Sequence, residues 1–196
     1  TTEDFFQVPS LYYDDQLKRL WIGTGSAGLF YYDIIRKSLS DIPIRNFPKQ
    51  PILAIRKDAK NTLLIGIDGQ GIWNISEKGD TILHIYKEDL NNPFSLRGDG
   101  VYDILCDGSK NWIATFTGKL SFFENSNSQI TPVTYQINNP NSLGNNYVNQ
   151  IIEDHEGHIW FATNNGVSRW DAASNKRKHY YQNKSEQAKV FLSLCE

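Results

Sequence analysis

Three stretches and one recurring residue carry side chains that could do chemistry. His155-Glu156-Gly157-His158 offers two imidazoles and a carboxylate within four positions, as a divalent metal would require. Catalytic zinc takes three protein ligands and one open position. No third ligand stands nearby, so the pair reads as exposed turn histidines and no metal is expected. Gly23-Thr24-Gly25-Ser26-Ala27-Gly28 is glycine-rich enough to cradle a phosphate, but strand-forming runs flank it and supply no helix N-terminus. Lys176-Arg177-Lys178-His179, beside Tyr180 and Tyr181, could follow a nucleic-acid backbone. The net charge of −2 favours a solvated hairpin end, with no nucleic acid bound through this region. The carboxylates Asp15, Asp58, Asp107 and Asp154 recur through the chain, as a turn requirement predicts, whereas a catalytic pair is unique. No Gly-x-Ser-x-Gly elbow and no P-loop occurs. No catalytic residue and no cofactor is assigned, and the region reads as non-enzymatic.

The elements that must position these groups come from one phrase said four times. Its anchors are Trp21, Leu64, Trp112 and Trp160, at spacings of 43, 48 and 48. A period of roughly 40 to 50 residues marks a repeat architecture. In each unit an apolar run such as Val101-Tyr102-Asp103-Ile104-Leu105 leads to the Asp turn, then to the anchor run. A small residue stands two positions past the anchor: Gly23, Gly66, Ala114 and Ala162. Such a residue lets a neighbouring chain approach closely. A polar turn, a third run ending at Tyr32, Ile75, Phe123 or Trp170, and a variable fourth run complete the unit. β-Branched and aromatic residues dominate, and no sustained 3.6-residue period supports a helix. The fold class is all-β: four four-stranded antiparallel propeller blades plus a partial fifth. Blades bury their faces only by stacking on neighbours, so the anchor tryptophans are expected to be core.

The run Trp-Ile-Gly-Thr, then Gly-Leu, then Tyr-Asp, at 21–33, resembles the two-component regulator propeller repeat. The joins strengthen the likeness, because Asn91-Asn92-Pro93-Phe94-Ser95-Leu96 matches Asn138-Asn139-Pro140-Asn141-Ser142-Leu143. Leu64 in place of Trp, Lys119 in place of Gly, and joins without the Asn-Pro-x-Ser-Leu phrase are departures within single units. The resemblance covers nearly the whole chain. It implies the periplasmic sensor region of a Bacteroides-type hybrid histidine kinase, an inner-membrane protein. It also implies an oligosaccharide ligand, a seven-bladed propeller of which this is a fragment, and signalling that controls transcription.

The 196 residues then divide as one propeller fragment with units 8–47, 48–96, 97–143 and 144–189. Residues 190–196 align with the first strand of a further blade, Leu194 standing where Ile151 does. Cys106 and Cys195 read as isolated, buried small hydrophobes. No apolar run approaches the length of a membrane span. Exposed blade faces predict self-association or a homodimer.

The loops between second and third strands should share one propeller face with the blade joins, because strands alternate in direction. That face is where the units differ most. Asp68, Gln70, Arg97, Asp99, Phe116, Asn146, Tyr147, Asn164 and Asn165 are therefore the candidate ligand-binding residues. A propeller scaffold for protein interaction is the alternative, and a propeller lyase or hydrolase a more distant one.

Overall fold

The computed structural model describes residues 7–117, 119–139, 141–171, 174, 176–180, 190 and 193–195. Among them every helical or extended element is a strand. The strands form four antiparallel sheets, each built from four consecutive strands in sequence order. Blade 1 holds β1 (Ser10–Asp14), β2 (Arg19–Gly23), β3 (Leu29–Asp33) and β4 (Ser38–Asp41). Blade 2 holds β5 (Ile52–Lys57), β6 (Leu63–Ile67), β7 (Gly71–Ile75) and β8 (Ile82–Tyr86). Blade 3 holds β9 (Val101–Cys106), β10 (Lys110–Thr115), β11 (Lys119–Glu124) and β12 (Asn127–Val133). Blade 4 holds β13 (Val148–Glu153), β14 (Ile159–Thr163), β15 (Gly166–Asp171) and β16 (Lys176–Tyr180). The end of the fourth expected unit, 181–189, and residues 191, 192 and 196 of the expected fifth-blade strand lie outside the described residues.

The first strands of successive blades neighbour one another, β1 with β5, β5 with β9 and β9 with β13, so they form the inner wall. The blades stack through three apolar clusters. Trp21 and Leu29 meet Ile52, Ile55 and Ile65; Leu64, Ile72 and Tyr86 meet Val101, Ile104 and Ile113; Trp112 and Leu120 meet Val148, Ile151 and Phe161. Strand β6 is apolar and buried at all of its positions because neighbouring blades cover both its faces. Such a strand shows no alternation. The small residue after the anchor has the expected use. A Cβ on Gly66 would lie 2.8 Å from Val101 Cγ1, and one on Gly23 would lie 2.6 Å from Ile52 Cγ2. The next blade's inner strand begins where that side chain would be.

Trp21 and Trp112 are fully buried, as expected. Trp160 is only half-buried, because no described blade covers its face of blade 4. Leu11 is 54 % exposed for the same reason at blade 1, while its counterparts Ile55, Ile104 and Ile151 are buried.

The turn carboxylate caps the first hairpin. Asp58, Asp107 and Asp154 each accept backbone N–H groups from the following turn. In blade 1 Asp14 does this, accepting from Gln16 and Leu17, whereas the expected Asp15 faces solvent and pairs with Lys18. Two of these aspartates also hold the anchor. Trp112 Nε1 donates to Asp107 Oδ2 at 2.8 Å and Trp160 Nε1 to Asp154 Oδ2 at 2.6 Å. Burial pushes both carboxyls up, but the tryptophan and backbone donors outweigh it and hold them below the usual range.

The Asn-Pro-x-Ser-Leu joins are stapled by their serine. Ser95 Oγ accepts the Asp89 N–H and donates to its carbonyl, and Ser142 Oγ does the same at Gln136. Asn92 and Asn139 close the turn by accepting from the residue two positions on. Leu96 and Leu143 are thereby driven fully into the seams between blades.

Candidate functional site

The face that carries the hairpin loops is set by one hydrogen bond repeated in all four blades. The first residue after the second strand, or the second in blade 1, donates its N–H to a carbonyl just before the inner strand. The pairs are Gly25 to Gln7, Asp68 to Pro51, Phe116 to Gly100 and Asn164 to Tyr147, at 2.7, 2.9, 2.7 and 3.1 Å. Each second-to-third hairpin therefore sits beside the mouth of the inner wall, as strand alternation predicts. The threonine of the repeated phrase closes that hairpin, with Thr24, Thr115 and Thr163 donating to Gly28, Lys119 and Gly166 carbonyls.

A second feature of this mouth was not visible in the sequence. Strands β5, β9 and β13 each carry a bulge at their second residue. Ile52 pairs with Ile67 and Ala54 with Gly66; Val101 pairs with Thr115 and Asp103 with Ala114; Val148 pairs with Thr163 and Gln150 with Ala162. Leu53, Tyr102 and Asn149 are the unpaired extras. Bulges re-aim a side chain and occur at functional rims. Here they set Tyr102 against Phe116, with ring centroids 4.8 Å apart and planes at 24°, and Asn149 against Asn164, with Nδ2 donating to Oδ1 at 2.9 Å.

The nine candidates separate accordingly. Asp68 and Phe116 both lie against Gly100, where a Cβ would stand 3.2 Å from Asp68 Oδ1 and 3.0 Å from Phe116 Cβ. Phe116 is 59 % exposed and Tyr147, at the position equivalent to Gly100, is 51 % exposed. Asn164 continues the same rim, and Asn165 is exposed at the hairpin tip. The remaining four support the joins. Asp99 accepts the Glu88 N–H at 2.7 Å and Asn146 the Tyr135 N–H at 2.7 Å, the same clamp in successive joins. Arg97 donates to the Pro93 carbonyl at 2.5 Å, and Gln70 accepts from Lys87. Burial, and then the Asp68 charge, raise the Tyr102 hydroxyl above its ordinary value.

Other groups are accounted for by packing. Asp154, Glu156 and His158 converge within 4.8 Å. Yet Asp154 already accepts from Trp160, Glu156 and His158, and His155 is not part of the group. Cys106 packs on the core, and burial pushes its thiol up to about 12, while Cys195 is exposed, contrary to expectation. A cleft of about 580 Å³ against blade 1 runs between the 26–29 hairpin and the 42–49 join and reaches Phe30 and Asp41. Phe30 and Asp41 continue the row Leu11, Ile22 of the uncovered face.

Residues 142–165 match the family model of the two component regulator propeller. That segment is similar to a two component regulator propeller repeat. It runs from the stapling serine of one join through the anchor strand to the hairpin tip. The fold matches the extracellular domain of a protein described as a hybrid two component system from B. thetaiotaomicron, with a TM-score of 0.70 and 18 % identity over 92 % of this chain and 25 % of that one. A second extracellular domain from B. thetaiotaomicron, described as a one component system, gives 0.51 and 20 % identity over 91 % and 30 %. The β-propeller domain of Cps50 (Swd1) from Myceliophteria thermophila gives 0.61 and 13 % identity over 87 % and 53 %. At these identities the likeness establishes the propeller fold. The chain spans a quarter to about a third of the bacterial domains it resembles. No curated protein is significantly similar to the chain in sequence.

Proposed function

We propose that the chain is part of a periplasmic ligand-sensing propeller in a membrane-anchored hybrid two-component histidine kinase. The blade mouth recognises an oligosaccharide, and the signal controls transcription. The observation that carries this reading is the rim itself. Four blades share their core chemistry, but at equivalent mouth positions they carry different, solvent-reaching groups: Asp68, Tyr102 with Phe116, and Asn149 with Asn164. An aromatic surface bordered by a carboxylate and amides suits a sugar ring, with its apolar face stacked and its hydroxyls hydrogen-bonded. The repeat at 142–165 and the likeness to extracellular domains of bacterial signalling systems support the sensor setting. Signalling requires that the ligand bind two arrangements of the protein with different affinity. The uncovered faces at Leu11 and Trp160 would take further blades, supplied by the same protein or by a second copy.

Calorimetry of the complete protein with a panel of oligosaccharides tests the reading. A saccharide should bind, and Phe116→Ala and Asn164→Ala should each weaken it, polar contacts contributing about 0.5 to 1.5 kcal/mol apiece. If no saccharide binds while a protein partner does, the protein is a scaffold.

A further inference from the structure

The charge pattern at this mouth is one-sided. The Asp68 carboxylate is exposed, and no described residue pairs with it through a hydrogen bond or salt bridge. Among described residues, Asp68 is the charged group that acts on the Tyr102 hydroxyl. Two basic side chains of the joins are hydrogen-bonded to neutral groups, Arg97 to the Pro93 carbonyl and Lys87 to Gln70. The Tyr102 and Phe116 rings add the negative potential of their π faces, which attracts a cation within about 6 Å. Tyr102 is 36 % exposed, so both rings reach solvent. An unpaired carboxylate and a stacked ring pair thus act with the same sign on anything that enters, while the amides of Asn149 and Asn164 offer both donors and acceptors.

We propose that this mouth takes an amino-bearing sugar ring, with Asp68 as the partner of its ammonium group. This rests on the saccharide-binding reading above and names the class of sugar. The ring's apolar face lies on the free face of Phe116, which Tyr102 backs from the other side. The ammonium reaches Asp68 in a charge-assisted contact, stronger than a neutral hydrogen bond. Asn149 and Asn164 meet the hydroxyls toward blade 4. A uronic acid or a sulfated sugar would place its anion against Asp68 and the ring faces, so the same groups reject it.

The test compares three soluble oligomers on the complete protein by calorimetry: β-1,4-linked glucosamine, the neutral β-1,4-linked glucose oligomer, and an oligogalacturonate. The glucosamine oligomer should bind about tenfold more tightly than the neutral one, a single charge-assisted contact being sufficient for that ratio. The oligogalacturonate should bind weakest. Asp68→Asn should erase the preference, bringing the glucosamine oligomer to the affinity that the neutral one shows on the same variant. That variant should fold normally, and an unaltered thermal melt checks this. Phe116→Ala should weaken the glucosamine and glucose oligomers together. Equal binding of these two, with Phe116→Ala still weakening both, would overturn the amino-sugar assignment and leave saccharide binding standing. A preference for the acidic oligomer, or a glucosamine preference that survives Asp68→Asn, would also overturn it. Failure of all three to bind would overturn the amino-sugar assignment, and the wider panel then decides the saccharide reading.

Discussion

The Asp103 carboxylate reaches across a blade boundary and accepts the Ile151 backbone N–H at 2.9 Å. Its other oxygen accepts the Ile104 N–H within its own blade and faces Arg56 of the preceding one at 3.3 Å. One buried side chain therefore joins three blades along the inner wall. The equivalent Gln150 repeats the reach, its Oε1 accepting the Leu194 N–H at 2.5 Å. Leu194 thus stands to blade 4 as Ile151 stands to blade 3, the alignment inferred from the sequence.

Asp103→Ala should cost about 1 to 3 kcal/mol in a urea melt, because it leaves buried donors without acceptors. A pH series separates this from packing. Burial outweighs Arg56 and the two backbone donors and raises the Asp103 carboxyl above its ordinary value. For a raised carboxyl, stability is greatest below the unfolded-state pKa and declines as pH rises through the folded one. Asp103→Asn should therefore flatten the loss of stability on going up from the ordinary carboxylate range. An unchanged pH slope would show that Asp103 is not the group responsible.

Asp107 and Asp154 predict the opposite slope. Both are held low by tryptophan and backbone donors. Their contribution is present above the unfolded-state pKa, about 3.9, and is lost as pH falls toward the folded value. Asp154→Asn should be less stable than wild type near neutrality, and the gap should narrow as the solution is acidified. Denaturant midpoints at several pH values measure it.

Trp112 and Trp160 occupy equivalent positions with different cover. Trp112→Ala should cost about 3 to 5 kcal/mol, the range for a large aromatic deleted from a core. Trp160→Ala should cost at least about 1 kcal/mol less, since part of its surface is already in water. Equal losses in parallel melts would mean that the Trp160 face is covered in solution.

The joins offer a matched pair. Ser95→Ala and Ser142→Ala each remove a hydroxyl that holds both the N–H and the carbonyl of one residue. Each should lose about 1 to 3 kcal/mol, two hydrogen bonds' worth. Chemical unfolding of the two variants should give similar values, because each staple holds the N–H and the carbonyl of the residue six positions before it.

The blades were legible because the anchor, the small residue behind it and the turn carboxylate recur at fixed offsets. Their causes are local and identical in each unit. The adjacent Asp14 and Asp15 defeated that logic, since either could cap the turn and only the strand pairing Asp14 to Arg19 decides it. Trp160 was expected to be core because the repeat says so, but burial belongs to a neighbour and not to the residue. The site was harder to read. Asp99, Asn146 and Arg97 have the side chains of a binding loop, yet spend them on backbone groups of their own joins. Tyr102 and Asn149 were missed because they sit inside apolar strands. A bulge is a mismatch between two strands, and neither strand announces it alone.

That bulge has a consequence for how such a protein can change. Leu53, Tyr102 and Asn149 occupy the one inner-wall position excused from pairing, and their three identities are unrelated. Substitution there need not disturb a seam, a staple or a cap. A lineage could exchange one residue per blade and drift from one ligand to another while its melting temperature stayed still. Stability and recognition would be inherited on separate residues, with new specificities reachable by single, individually tolerated steps.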